Sequence, residues 1–171
     1  MRILGVDPGL RLTGYGVIDH GARRPVLVDA GVIRLDEKTS IAARLVELET
    51  ELEGLLDEAR PQVVAVEQLY AHYKHPRTAI LMGHARGVIL LAATRRRLEV
   101  MELSANRIKQ SIAGHGHAAK GQMQRAIQAI WQLPEPPEPP DVADALAVAL
   151  CCGHALDERT IMARQSTGKT A

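Results

Sequence analysis

The sequence predicts an α/β domain in which a mixed five-stranded sheet is flanked by helices. Three observations carry this expectation. Short apolar runs end at turn residues, longer segments between them repeat with helical spacing, and the order is three strands, helix, strand, helix, strand, then helices only. With 171 residues the chain suits one domain and leaves little room for two. Hydrophobic residues make up 46% of it, but aromatics only 2% and Phe is absent, so the core must be aliphatic.

Residues 2–7 (RILGVD) are apolar up to Asp-Pro-Gly and predict a buried strand ending in a turn. Residues 13–19 and 25–35 predict two more strands, joined by short turn-rich links as antiparallel hairpins. From Ser40 to Ala59 the residues Ile41, Leu45, Leu48, Leu52 and Leu55 recur at spacings of four, three, four and three, which marks one apolar stripe of a helix. Pro61 ends it. The continuous run QVVAVE, residues 62–67, predicts a strand covered on both faces.

A polar loop over 68–76 precedes a helix expected from Arg77 to Arg95, whose small-residue middle can pack closely on a partner. A strand over 98–103 follows, then a short helix with Ser104 as N-cap, running to Ile112. After the Gly-rich link GHGHAAKG comes a helix over 119–131, a Pro-rich spacer, PEPPEPP, that is not helical, and a last helix over 141–154. The domain is expected to span 1–156, and the polar, aperiodic residues 157–171 to form a flexible C-terminal tail.

Charge is unevenly distributed. The net charge is only +1, but Tyr70–Arg125 holds 10 basic and 2 acidic residues, about +8, together with five of the seven histidines. A segment so basic is suited to a polyanion. The two cysteines, Cys151 and Cys152, are adjacent and read as small buried apolar residues in a reducing compartment. No run approaches the ~20 apolar residues of a membrane span, and Asp7 interrupts the N-terminal apolar run of a signal peptide, so a cytoplasmic protein is expected.

Four carboxylates stand where a charge is expensive. Asp7 and Glu67 each end an apolar strand. Asp141 and Asp144, three residues apart on one helix face, open the apolar helix DVADALAVALCC. Each has a plain alternative: a turn cap, an N-cap, a helix-end charge or an ion pair. Together they suggest a cluster that needs cations, and an all-oxygen set prefers Mg²⁺ or Mn²⁺ over zinc. Two such ions about 3.5–4 Å apart can activate a water and stabilise the leaving oxygen of a phosphodiester. The pair His115 and His117 is too close in sequence to make a zinc site alone and is taken as a loop feature.

The segments ILGVDPGLRLTGYGVI, VVAVEQLY, GHARGVIL, RIKQSIAG, AAKGQMQ and DVADALAVAL resemble, in order, the motifs of the RuvC family of Holliday junction resolvases, over about residues 2–154. The resemblance implies a ribonuclease-H-like fold, a homodimer, and an endonuclease that cuts four-way DNA junctions by paired symmetric nicks leaving 5′-phosphate and 3′-hydroxyl ends. It implies that Asp7, Glu67, Asp141 and Asp144 are the catalytic and metal-binding tetrad, holding two Mg²⁺ or Mn²⁺ ions. It matches Tyr70 to an aromatic residue that stacks on a junction base, and Lys109 and Lys120 to lysines that contact phosphate near the scissile bond. The RuvA–RuvB branch-migration complex is an implied partner. The helix around Gly83–Ala93 is expected to contribute to the dimer contact. The carboxylates alone also fit a nuclease of the same fold acting on structured RNA or RNA–DNA hybrids. Likewise, GVDPGLRLTGYGVID is similar to the first phosphate loop of sugar-kinase and actin-like ATPases, a fold that needs two lobes and more than this length.

Overall fold

Alternation along the first strand sets the whole architecture. In β1 (Arg2–Asp7), Ile3 faces one side of the sheet, and Leu4 and Val6 face the other. All three are fully buried, so the sheet is covered on both faces. The structure is a computed structural model that describes residues 1–21, 24–69 and 76–167. After β1 come β2 (Leu12–Asp19), β3 (Val26–Arg34), α1 (Ile41–Ala59), β4 (Val63–Glu67), α2 (Pro76–Arg95), β5 (Glu99–Leu103), α3 (Ala105–Ala113), α4 (Lys120–Trp131) and α5 (Pro140–Thr167). The sheet order is β3-β2-β1-β4-β5. The β1–β2 and β2–β3 pairs are antiparallel, while β1–β4 and β4–β5 are parallel, as the hairpin links and the helical crossovers require.

One face packs on α1 and α2 through Leu52, Leu56, Ile89 and Ala92. The other packs on α3, α4 and α5 through Ile108, Met123, Ile127, Leu146 and Leu150. The stripe of α1 is buried at Leu48, Leu52, Leu56 and Ala59, and Ser40 caps its start by accepting from the Ala43 N–H. Of the expected stripe, Leu48 and Leu52 are buried, Leu45 and Leu55 are half-buried, and Ile41 is 41% exposed. Ser104 caps α3 through the Arg107 N–H, and Gly114 ends it at φ +79°.

Helix α5 approaches the β1–β2 hairpin more closely than side chains normally permit. A Cβ on Gly5 would overlap the Ala145 carbonyl, one on Gly14 the Asp141 carbonyl, and one on Gly16 the Leu146 side chain. Three glycines on the strands therefore face Asp141–Ala149, a segment in which every second residue from Ala143 is alanine. Cys151 and Cys152 lie buried as free thiols in the same helix, and burial pushes the Cys152 thiol up to about 12, which makes it inert.

The last helix, expected to end at residue 154, continues to Thr167. The residues beyond Leu156 have no apolar period, and long-range polar contacts hold the first three of them instead. Asp157 bonds His20 Nε2 at 2.9 Å, Glu158 pairs with Arg107 at 2.7 Å, and Arg159 pairs with Glu99 at 3.3 Å. Gly153 makes room for the His20 ring.

Candidate active site

The site forms at the carboxyl ends of the two central parallel strands. Val6 and Val66 are register partners across β1 and β4, so Asp7 and Glu67 leave the sheet side by side. Asp7 is paired with Gly14 across the hairpin. Gly14 in turn lies directly against the backbone of Asp141 in the first turn of α5. The missing Cβ thus brings the start of α5, with Asp141 and Asp144 one turn apart, over the end of β1. The positive end of the helix offsets part of the carboxylate repulsion.

All four acids line one open cleft of about 640 Å³, together with Lys109 and Lys120. Burial is the main cause that raises the Asp7 carboxyl to about 8, followed by the charges of Asp144, Glu67 and Asp141, with Lys120 opposing. Glu67 is raised by burial and by Asp144, against Lys109 and Lys120. Asp144 is raised by burial and by Asp141, against the same two lysines. Lys120 Nζ stands 4.0 Å from Asp144 Oδ2 and is 81% exposed, so its attraction is well screened by solvent.

The two lysines leave the cluster short of positive charge, and its donors are all hard oxygens. This set fits a divalent cation such as Mg²⁺ or Mn²⁺. Among the described residues no three His, Cys, Asp or Glu side chains converge closely enough to hold one ion as they stand. The four acids share a cleft, and closing them on a cation takes further side-chain adjustment.

His115 and His117 are exposed on the loop between α3 and α4, away from the lining of this cleft. Tyr70 lies outside the described residues. Two contributors were not legible as site residues. Thr13, fully buried, donates to the Gly9 carbonyl at 2.6 Å and accepts from its N–H at 3.3 Å, latching the turn that follows Asp7. Arg44 reaches from α1 to the same turn, donating from Nη1 to the Leu10 carbonyl at 2.8 Å. The available signal was a cation on the apolar stripe of α1, three residues after Ile41 and four before Leu48.

No helix among the described residues is long and apolar enough to cross a membrane. Comparison with known proteins gives a consistent result. The family model described as crossover junction endodeoxyribonuclease RuvC matches residues 3–152. A protein of that name from Heliobacterium modesticaldum is 45% identical over 156 residues, covering 91% of this chain and 96% of the relative. One from Legionella pneumophila is 41% identical over 152 residues, covering 89% of this chain and 86% of the relative. The solved structure of Thermus thermophilus RuvC in complex with Holliday junction substrate superposes with a TM-score of 0.82 at 34% identity, covering 94% of this chain and 96% of that one. A yeast mitochondrial Holliday junction resolvase shares the fold, with a TM-score of 0.61 at 16% identity.

Proposed function

The chain belongs to the RuvC family of crossover junction endodeoxyribonucleases, and on that premise we propose how its own residues resolve a four-way DNA junction. The observation that carries the reading is the meeting of Asp7, Glu67, Asp141 and Asp144 with Lys109 and Lys120 in one cleft. We assign the four acids to hold two Mg²⁺ or Mn²⁺ ions. When bound, the ions supply Lewis-acid charge that favours ionisation of a water and of the leaving oxygen.

The residues themselves divide the remaining work. Burial makes the ionised carboxylates unstable alone, so the cluster is primed to exchange protons for cations. Lys109 and Lys120, which line the same cleft, neutralise the charge that develops on the phosphate. Lys120 is the first residue of α4, where free backbone N–H groups also favour an anion. Tyr70 is proposed to stack on a junction base. The products are a 5′-phosphate and a 3′-hydroxyl.

Paired nicks on strands of like polarity need two sites related by a two-fold axis, which a homodimer supplies. The outer face of α2 suits that contact. Ile80 is 60% and Leu91 47% exposed, and Gly87 has open space where a side chain would be. Val88 packs inward on the Leu10 and Leu48 cluster, so Leu91→Arg is the informative change. A dimer that survives it in sedimentation refutes the placement. We propose a cytoplasmic enzyme of DNA recombination and repair, supplied with junctions by a RuvA–RuvB branch-migration complex.

The decisive experiment incubates the protein with an end-labelled four-way junction, linear duplex of the same sequence and an RNA–DNA hybrid, each with Mg²⁺, Mn²⁺ or EDTA. Symmetric metal-dependent nicks confined to the junction, lost in Asp7→Asn while binding persists, are expected. Preferential cleavage of the hybrid overturns the junction reading.

A further inference from the structure

We propose that Arg44 is a positioning residue for nicking, which aims Asp7 into the cleft by holding the carbonyl of Leu10. The inference rests on the junction-nicking reading above. Asp7 is the last residue of β1, paired with Gly14, and the turn of residues 8–11 follows it directly. That turn is tight, because a Cβ on Gly9 would overlap the Leu12 carbonyl. It is latched internally by Thr13 on Gly9, and at its far end by the Leu35 N–H donating to Arg11 at 3.1 Å. Leu10 lies between these latches. Its carbonyl is gripped by Arg44 Nη1 at 2.8 Å, a bond that reaches across 34 residues from the second turn of α1.

The cost of that grip shows that it is not ordinary packing. Arg44 Nε is buried and has no hydrogen-bond partner, one of two such side-chain atoms among the described residues. A buried orphan donor is uncommon and costly. Arg2, Arg86 and Arg96 are each matched to carboxylates, on Asp19, on Glu102, and on Glu53 and Asp57. Arg44 has no carboxylate at ion-pair distance among the described residues, although it lines the same cleft as the four acids. What its side chain does hold is the Leu10 carbonyl, so Arg44 acts on Asp7 through the backbone of the turn. Leu81 and Leu48 pack on Leu10 in the same small cluster, so the held turn is also seated on α1 and α2.

The test uses the full chain and three proteins: wild type, Arg44→Met and Arg44→Lys. Single-turnover nicking of the four-way junction is measured in Mg²⁺ at saturating protein, junction affinity in EDTA across a salt series, and Tm for each protein. Arg44→Met is expected to slow nicking roughly ten- to a hundredfold, the scale of a reacting group misplaced by about 1 Å. Affinity and its salt slope are expected to stay at the wild-type values. Arg44→Lys keeps a donor for Leu10 and is expected to recover most of the rate. If Arg44→Met instead weakens junction binding and reduces the salt slope by about one phosphate contact, Arg44 is a DNA clamp and the proposal is wrong. It is equally wrong if both variants nick at the wild-type rate, or if the rate follows Tm alone and Arg44→Lys is as slow as Arg44→Met at equal Tm. A wild-type protein that fails to nick junctions refutes the proposed function, and this assignment with it, whereas the outcomes above refute the assignment alone.

Discussion

Replacing Asp7 by Asn should stabilise the metal-free protein while abolishing its nuclease activity. The Asp7 carboxyl is raised from 3.8 to about 8. A carboxyl that holds its proton more tightly when folded costs stability as pH rises, because the unfolded chain then binds fewer protons than the folded one. The cost begins near pH 4, grows to about pH 8 and is constant above. At pH 7 it covers about three units, or about 4 kcal/mol at ~1.4 kcal/mol per unit. Asn removes the ionisation but leaves a desolvated amide, which returns roughly 1–3 kcal/mol. The net gain is about 1–3 kcal/mol, or roughly 3–8 °C in Tm for a chain of this size. Thermal unfolding in EDTA between pH 5 and pH 8.5 checks it. The gap between Asp7→Asn and wild type should widen with pH and flatten near 8, and Mg²⁺ should narrow it by stabilising wild type alone. A variant equal to or less stable than wild type at pH 8 refutes the reasoning, because burial would then not make ionisation of Asp7 costly in the folded state.

Further outcomes follow from the same geometry. Lys120→Met removes the cation that offsets both Asp7 and Asp144, and should reduce single-turnover nicking roughly 10²-fold with little change in junction affinity in EDTA. Asp157→Ala leaves a His20 ring buried without its partner. It should lower stability by about 1–3 kcal/mol in urea denaturation without altering nicking. Leu146→Ala, in the core between α5 and the hairpin, should cost about 2–5 kcal/mol by the same measurement. Junction affinity should fall steeply with salt, since phosphate contacts by basic residues release counterions. An affinity flat between 50 and 200 mM salt contradicts a basic interface.

Local periodicity made most of the fold legible in the sequence. The stripe of α1 and the two-sided burial of β4 follow from short windows of residues, and they placed Asp7 and Glu67 correctly at strand ends. Asp141 and Asp144 were legible because a charge three residues from another, on an otherwise apolar helix, has few inexpensive explanations. The helical extension beyond Leu156 was not, since Glu158 and Arg159 are held by Arg107 and Glu99, partners more than 50 residues away in sequence. Arg44 was illegible for a related reason. Its partner is a backbone carbonyl, and main-chain groups leave no mark on side-chain patterns. The closeness of α5 to the hairpin was written as Gly5, Gly14 and Gly16, but glycine in a strand also signals a bulge or a bend, and only the packing distinguishes these.

The glycine lane has an engineering consequence. Because Gly14 touches the main chain of Asp141, the gap between helix and sheet there is fixed by backbone thickness, and no rotamer can absorb a change. A single methyl group at Gly14 would act as a shim. It would shift Asp141 and Asp144 as one rigid block against Asp7 and Glu67, altering the spacing of the tetrad with all four acids intact. The span between the two pairs of acids is therefore a dimension set by residue 14.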